Sequence, residues 1–296
     1  MAATASLVVL VAAIRPANAI PCPNKAVLFY HLPKTGGSTF THLFRPGSSH
    51  FVSARSYADA QSALRGLRDC DERAKEARGW FLLEVHPIAF LPHEALWLDA
   101  KESLRSKGVP VFATGFLRDP VDHALSVYNW CCGRESAQRQ NCGLGPRSPA
   151  QLVSALGKNL QCTNIVEGWH GQRGTRTIFT VDTCISAFAR YRDAMDSVGV
   201  TSRLEATIAA VETFLNVSVN AATERPGIIT GAGRTGPTYV AEKHNKIYPQ
   251  RADLSDSDLE KIVLAQRLDF AMYQALELGV NGSMALFGRT EACGSA

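Results

Sequence analysis

The fold of this chain is decided by the stretch Val27–Thr39, which reads VLFYHLPKTGGST. The apolar run Ala26–Tyr30 has the length of a buried strand, and Pro33 ends it. Gly36 and Gly37 then permit backbone conformations that a side chain would obstruct. The pattern predicts a strand, a tight glycine loop and a helix start in direct succession.

The same stretch predicts an anion site. A short apolar helix is expected from Ser38 to near Phe44, so the free N–H groups and partial positive charge of its N-terminus converge on the Lys34 ammonium. In the ordinary triphosphatase loop the lysine follows the second glycine, whereas here it precedes both, which disfavours a magnesium-dependent triphosphatase. The residues expected to contact a phosphate or sulfate are Lys34, Thr35, Gly36, Gly37, Ser38 and Thr39.

A second segment, Phe116–Tyr128, repeats the design with different chemistry. Val109–Leu117 is predicted as another buried strand, and the following Asp119-Pro120 pair is typical of a helix start. Arg118 then lies at the carboxyl end of the strand, and Ser126 lies about two turns into the helix. A guanidinium and a hydroxyl are suitable donors for a second phosphate group.

At these two segments the chain resembles the Golgi carbohydrate O-sulfotransferases related to heparan sulfate 2-O- and 6-O-sulfotransferases, which use 3′-phosphoadenosine-5′-phosphosulfate (PAPS). Lys34–Ser38 is similar to their 5′-phosphosulfate loop, and Leu117–Val121 with Ser126 is similar to their 3′-phosphate site. His123 stands where the family often carries an arginine. Weaker similarities follow in chain order at Asn159–Gln161 with Gly168, Val198–Glu205, and Leu268–Asp269 with Tyr273.

The resemblance implies an α/β protein with a P-loop-like three-layer fold, in which helices flank a central, mainly parallel sheet. It implies sulfuryl transfer from PAPS to a carbohydrate hydroxyl, with no metal required. With 296 residues and 46% hydrophobic content, the chain can bury a full core. Alternating strands and helices without internal repeats favour one sulfotransferase domain over residues 20–296.

The first 19 residues predict entry into the secretory pathway. Leu7–Ile14 is a short apolar core, and Pro16–Ala19 ends with the small residues of a signal-peptidase site. We expect residues 1–19 to be a signal peptide or the remnant of an N-terminal anchor. The resemblance implies localisation in the Golgi lumen. It also implies association with the Golgi membrane if an anchor precedes the domain.

Cysteine content indicates the same compartment. The chain has 8 cysteines without Cys-x-x-Cys spacing, which favours disulfides over zinc binding; free buried thiols in a cytosolic protein are the alternative. The triplets Asn216–Ser218 and Asn281–Ser283 are glycosylation sequons and predict a glycoprotein.

Catalysis requires a base for the acceptor hydroxyl. Gly79–Val85 is predicted as a third strand, and it ends at His86, at the edge where open α/β sheets bind ligands. A histidine in this part of the chain is the general base in the resembling family, so His86 is the predicted base. Together with Lys34 of the first loop, it makes up the predicted catalytic residues. Glu84 is the alternative base, and a structural role for His86 is the other interpretation.

The acceptor is less constrained by the sequence. A net charge of +4 does not identify a polyanionic partner, and no nucleic-acid-binding module is recognisable. The acceptor is expected to be a carbohydrate, with an acidic polysaccharide as one option, and the oligomeric state is open. Five arginines of the middle region either line a groove for such a glycan or are simply solvated. They are Arg134, Arg139, Arg147, Arg173 and Arg176.

Later segments suggest supporting elements. The glycine-rich stretch Gly231–Thr238 predicts a loop whose Arg234 and Thr235 bind the cofactor, or else a surface loop without a specific role. Asp253–Leu278 is predicted as one long amphipathic helix. Ser202 with Glu205 matches a capping box for a helix that ends near Leu215.

Two other functional classes stay open at this point. One is a P-loop-type phosphoryl-transfer enzyme, which the early lysine disfavours. The other is a catalytically inactive relative that binds a nucleotide or a glycan.

Overall fold

The structure is a computed structural model that describes residues 20–74, 79–86, 88–132, 158–168, 179–219, 229–230, 234–235 and 251–277. Several predicted features lie outside these residues. They are the N-terminal segment 1–19, the arginines of the proposed glycan groove, the second sequon, Cys142 and Cys293. Within the described ranges, no helix is long and apolar enough to cross a membrane.

The centre of the molecule is a sheet of five parallel strands. Their order across the sheet is β2-β3-β1-β4-β5. The bounds are β1 Ala26–Tyr30, β2 His50–Ala54, β3 Phe81–Val85, β4 Val111–Leu117 and β5 Ser197–Val200. The predicted first strand has the expected bounds, and the strands predicted at Val109–Leu117 and Gly79–Val85 each begin two residues later than expected.

Both faces of the sheet are covered, which explains why its central strands are almost continuously apolar. Side chains alternate between the faces along β1, so that Leu28 and Tyr30 join one buried cluster while Val27 and Phe29 join another. The predicted three-layer α/β architecture with a parallel sheet is confirmed.

Nine α-helices are found in the part of the chain that the structure describes. They are α1 Gly37–Phe44, α2 Tyr57–Arg68, α3 Glu94–Ser106, α4 Pro120–Cys132, α5 Leu160–Val166, α6 Val181–Ala194, α7 Leu204–Leu215, α8 Asp256–Ala265 and α9 Arg267–Glu277. Helices α2, α3 and α6 pack on the sheet face that bears Leu28. Helices α1 and α7 cover the opposite face.

Two helix predictions were wrong in detail. The long helix expected at Asp253–Leu278 is divided into α8 and α9 at Gln266, whose side-chain carbonyl accepts a hydrogen bond from the Leu160 amide at 2.9 Å. The capping box at Ser202 does not form, because Ser202 lies inside a short 3₁₀ turn and Arg203 is the N-cap residue of α7. In both places a side chain contacts a distant residue, since the Ser202 hydroxyl lies 3.4 Å from the Tyr273 hydroxyl.

Two disulfides confirm the prediction made from cysteine content. Cys22 pairs with Cys70, with a Cα–Cα distance of 4.9 Å, and Cys162 pairs with Cys184 at 5.6 Å. The second disulfide joins α5 to α6 and so ties the short helix α5 to the body of the domain.

Gly115 in β4 provides a test of packing in the core. A Cβ atom at this position would lie 1.8 Å from the hydroxyl oxygen of Tyr191, which is fully buried. We expect Gly115→Ala to lower the free energy of unfolding by about 1–3 kcal/mol, because an inserted methyl group forces this close-packed region apart. Urea unfolding of the purified protein measures the change.

Tyr191→Phe is the matched control, since the Tyr191 hydroxyl has no hydrogen-bond partner among the described residues. The single substitution should be close to neutral. Added to Gly115→Ala, Tyr191→Phe should restore part of the lost stability, because it removes the hydroxyl oxygen that lies nearest to the new methyl group. Equal losses with and without Tyr191→Phe would contradict this account.

Candidate functional site

The candidate site lies at the carboxyl edge of the sheet. Because all five strands are parallel, the segments that follow them meet at the same edge. His31, His86, Arg118 and Thr201 occupy such positions, after β1, β3, β4 and β5 respectively. The two segments predicted to bind phosphate are therefore brought together by the strand order, in which β1 and β4 are direct neighbours.

The loop after β1 includes a left-handed glycine, as its sequence predicted. Gly36 has a φ of 90°, and Lys34 is also left-handed with a φ of 65°. Thr35 is buried and anchors the loop, since its hydroxyl donates to the Leu32 carbonyl at 2.8 Å. Thr201 donates from its hydroxyl to the Thr35 carbonyl at 2.9 Å and to the Leu117 carbonyl at 3.1 Å, which links the ends of three strands.

Helix α1 begins immediately after this loop, at Gly37, and its N-terminus is suited to an anion. No side chain caps it at Gly36, and its first turn contains no acidic residue. Ser38 is exposed and Thr39 is partly exposed, so the first turn faces the surface of the domain. Backbone donors and the helix dipole together favour a bound phosphate or sulfate at this point.

Arg118 contacts the loop directly. Its guanidinium donates to the Lys34 carbonyl at 3.2 Å, so the second phosphate motif touches the first. Burial lowers the pKa of Arg118, while the charges of Asp122 and Asp119 oppose that shift. A guanidinium that is already partly removed from water interacts strongly with an anionic ligand.

Gln161 holds the backbone of Arg118 in place, a role that no sequence motif predicted. Its side-chain oxygen accepts from the Arg118 amide at 2.9 Å, and its side-chain nitrogen donates to the Arg118 carbonyl at 2.8 Å. The side chain of Gln161 is fully buried, and both its oxygen and its nitrogen are hydrogen-bonded to the backbone of Arg118. The only signal in the sequence was the weak family similarity at Asn159–Gln161.

Asp269 supports Gln161 from α9. Its carboxylate accepts hydrogen bonds from the amides of Gln161 and Cys162, at 2.8 and 2.9 Å, and so caps the N-terminus of α5. Burial raises the pKa of Asp269 to about 7, while the two amide hydrogen bonds oppose that shift. A further hydrogen bond joins the same two segments, since the Asn159 side-chain oxygen accepts from the Leu268 amide at 2.9 Å.

Helix α4 starts as predicted, because an Asp119 side-chain oxygen accepts from the amides of Val121 and Asp122 at 3.0 and 3.1 Å. His123 is fully buried and donates from Nε2 to the Pro33 carbonyl at 2.8 Å, which joins α4 to the loop. Burial lowers the pKa of His123 to about 4, so this histidine is neutral at physiological pH. Ser126, the predicted phosphate ligand, lies partly buried one turn further along.

His86 has the properties of a general base. Its Nδ1–H donates to the His31 carbonyl at 3.0 Å, which leaves the lone pair on Nε2, and its amide donates to the Ala54 carbonyl at 2.9 Å. Burial lowers the pKa of His86 to about 4; the charges of His31 and Arg55 act in the same direction, and Glu84 opposes them. The imidazole is therefore neutral at physiological pH.

Glu84, the alternative base, is committed to other partners. Its carboxylate accepts hydrogen bonds from His31, Thr41 and Ser53, at 2.7, 2.9 and 2.9 Å. Burial disfavours the anion, but the interactions with His31 and the two hydroxyls outweigh it and lower the pKa of Glu84 to about 2. A carboxylate with this pKa is a much weaker proton acceptor than His86.

The remaining predicted ligands, Arg234 and Thr235, form the short strand β7. It pairs antiparallel with β6, Ile229–Thr230. The glycine-rich residues between the two strands lie outside the described part of the chain. A cofactor role for Arg234 and Thr235 therefore stays a prediction.

Comparisons with known proteins give little help. No family model matches the chain, and no curated protein is significantly similar in sequence. Solved structures with some likeness include mouse sulfotransferase SULT7A1 complexed with PAP, with a TM-score of 0.37, 9% identity, and coverage of 88% of this chain and 91% of that one. Another is a sulfotransferase from Alicyclobacillus acidocaldarius, with a TM-score of 0.33, 12% identity, and coverage of 91% and 100%. Such distant likenesses do not indicate what this chain binds or does.

The raised pKa of Asp269 predicts a pH dependence of stability. The carboxyl group has its ordinary pKa of 3.8 in the unfolded chain, whereas burial raises the pKa of the folded group to about 7. Its contribution to stability is therefore complete below the unfolded pKa and is lost as the pH rises through the folded pKa. The loss amounts to as much as about 1.4 kcal/mol per pH unit.

Asp269→Asn removes this titration while keeping the size of the side chain. The difference in unfolding free energy between the natural protein and Asp269→Asn should fall steadily from pH 4 to pH 7, measured by urea unfolding at each pH. Taking the difference cancels the titration of His86 and His123, which acts in the opposite sense. Parallel curves for the two proteins would show that Asp269 does not titrate in this range.

Proposed function

We propose that this protein is a sulfotransferase that moves a sulfuryl group from PAPS to a hydroxyl of a carbohydrate acceptor. The observation that carries the proposal is the hydrogen bond from Arg118 to the Lys34 carbonyl, with His86 at the same edge of the sheet. Two elements suited to binding an anion and a neutral imidazole lie at this edge, which supports the proposal. Such a site fits a ligand with phosphate groups at two separate ends and a hydroxyl that must lose a proton.

The elements of the site fit PAPS in chemical terms. The uncapped N-terminus of α1, with Lys34 before it, would hold the 5′-phosphosulfate, and Arg118 with Ser126 would hold the 3′-phosphate. When bound, the co-substrate supplies an activated sulfuryl group. Backbone N–H groups from Thr35 to Ser38 would stabilise negative charge that develops on the leaving phosphate. The Thr39 N–H, which was predicted to join them, instead donates to the Gly36 carbonyl at 3.1 Å.

The role of His86 follows from its hydrogen bond. Because Nδ1–H is used by the His31 carbonyl, Nε2 accepts the proton of the acceptor hydroxyl. The oxygen of that hydroxyl then attacks sulfur, and the bond from sulfur to the bridging oxygen breaks. Adenosine 3′,5′-bisphosphate leaves with the electron pair, and the proton stays on His86 as the imidazolium.

The cellular setting is part of the proposal. The disulfides Cys22–Cys70 and Cys162–Cys184 support passage through an oxidising compartment, for which the Golgi lumen is the candidate. An acidic polysaccharide is a possible form of the carbohydrate acceptor. We propose no nucleic-acid partner and no metal requirement.

Binding of adenosine 3′,5′-bisphosphate is the first test. We expect calorimetry to detect its association without magnesium, and the ligand to raise the melting temperature. Lys34→Ala should lower the rate of sulfate transfer about 10²- to 10³-fold through loss of a preorganised positive charge. Arg118→Ala should mainly weaken nucleotide binding. Arg192→Ala is the control, since Arg192 is a partly exposed arginine on α6 whose guanidinium pairs with Asp193.

Transfer is then measured with isotopically labelled PAPS over a panel of glycans and small hydroxyl compounds. Stabilisation by ATP with magnesium, but not by the bisphosphate, would favour the phosphoryl-transfer alternative. Binding without transfer to any acceptor would favour an inactive relative. Full activity in a well-folded Lys34→Ala protein would refute the assignment of the loop.

The pKa of His86 predicts the acid limb of the pH profile. Since the imidazole is neutral above about 4, kcat/KM should stay high down to moderately acidic pH and fall as the pH drops through that value. His86→Ala should lower kcat about 10²- to 10⁴-fold and abolish this limb. His50→Ala, at the opposite end of the sheet, should behave like the natural protein. An unchanged limb in His86→Ala would show that another group is the base.

A further inference from the structure

The geometry points to His31, held by Glu84, as a positioning residue that sets the place of the base His86 relative to the phosphate loop. This inference rests on the proposed function and adds two residues to its machinery. Neither residue needs to touch the substrate, because each acts through a neighbour. Four kinds of contact made by His31 carry the inference.

The first contact is with a buried carboxylate. His31 Nδ1–H donates to Glu84 at 2.7 Å, and both side chains are almost completely removed from water. The same carboxylate accepts from Thr41 on α1 and from Ser53 on β2. Glu84 therefore joins β1, β2, β3 and α1 directly beneath the site, and it fixes the orientation of the His31 ring.

The second contact is with the base itself. The rings of His31 and His86 are stacked, with centroids 4.1 Å apart and planes 25° from parallel. Phe29 stacks on His31 as well, at 5.3 Å, and continues the column into the core. The ring of the base thus stacks on a ring that is itself held by packing and by the hydrogen bond to Glu84.

The third contact is with the phosphate loop. A Cβ atom at Gly37 would lie 2.0 Å from Cδ2 of His31 and 2.3 Å from Nε2, so the start of α1 sits directly against the imidazole. This explains why the first residue of α1 has no side chain. The proposed anion site and the proposed base are therefore supported by the same ring.

The fourth contact is made by the backbone. The His31 carbonyl accepts from Nδ1–H of His86 at 3.0 Å and so selects the tautomer with a free Nε2 lone pair. Groups that act electrostatically on His86 are His31 on the β1 side, Glu84 on β3 and Arg55 after β2. A positive charge on His31 opposes protonation of the base, and Glu84 favours it.

This arrangement matters because sulfuryl transfer by displacement requires the acceptor oxygen, sulfur and leaving oxygen to be in line. A misplacement of about 1 Å between reacting groups can cost about 10²-fold in rate. His31 ties the group that takes the proton to the loop that holds the donor. Its loss should therefore affect turnover more than nucleotide affinity.

The experiment compares His31→Ala, which loses all side-chain contacts, with His31→Asn, whose amide nitrogen can replace Nδ1 as the donor to Glu84. We expect kcat to fall about 10²-fold in His31→Ala and less in His31→Asn. The dissociation constant for adenosine 3′,5′-bisphosphate should change less than about threefold, since Lys34 and Arg118 remain. In both variants the acid limb of kcat/KM should move upward, towards the ordinary histidine value of 6.5.

His93→Asn is the matched control. His93 is similarly buried, donates from Nδ1 to the Ala89 carbonyl at 3.1 Å and stacks on Tyr57. In the part of the chain that the structure describes, neither of these partners belongs to the proposed machinery. The His93→Asn protein should lose about as much stability as His31→Asn, while its kcat and the acid limb of its kcat/KM profile stay unchanged. NMR titration of the His86 ring in the natural protein, His31→Asn and Glu84→Gln gives a readout that does not depend on turnover.

The outcomes separate the two proposals. A natural protein that neither binds the bisphosphate nor transfers sulfate would overturn the proposed function, and the role of His31 with it. An active natural protein with unchanged kcat and an unchanged His86 titration in the His31 variants would overturn only the present inference. An equal loss of kcat in His93→Asn would also overturn it, because the effect would then be one of general destabilisation. Should His31→Ala not fold, His31→Asn and Glu84→Gln decide the same question.

Discussion

Parallel pairing of the five strands is the constraint on which the site depends. It places the carboxyl ends of β1, β3 and β4 side by side, although the segments that follow them are far apart in sequence. The central strands β1, β3 and β4 are buried on both faces, so their register cannot shift without exposing apolar side chains. A rigid edge results, and short polar segments on it acquire defined positions.

Beneath and beside this edge, buried polar groups connect the later part of the chain to the first phosphate loop. Asp269 caps α5, Gln161 on α5 holds the backbone of Arg118, and Arg118 contacts the loop at Lys34. Thr201 adds a separate link to the loop from the end of β5. Each of these groups makes a hydrogen bond to a specific partner, which makes the network costly to rearrange.

Local patterns predicted the parts of this structure that local physics governs. The first strand, the glycine loop and the Asp119 cap depend on neighbouring residues, and all three are found as expected. The predictions that failed were those in which a distant group competes with the local pattern. Gln266 interrupts a long amphipathic stretch because its side chain caps α5, and Ser202 forms no capping box because the chain is drawn into a 3₁₀ turn.

Local patterns in the amino-acid sequence specify the architecture, because hydrophobic periodicity, glycine positions and helix caps act over a few residues. They also predict which residues are suited to bind anions. Tertiary structure alone decided how those residues cooperate. Nothing in the sequence indicates that Glu84 is held by three donors, that His31 supports both His86 and Gly37, or that Gln161 clamps Arg118. The physical reason is that the partners of a buried polar group are chosen by the packing of distant segments, which no local pattern records.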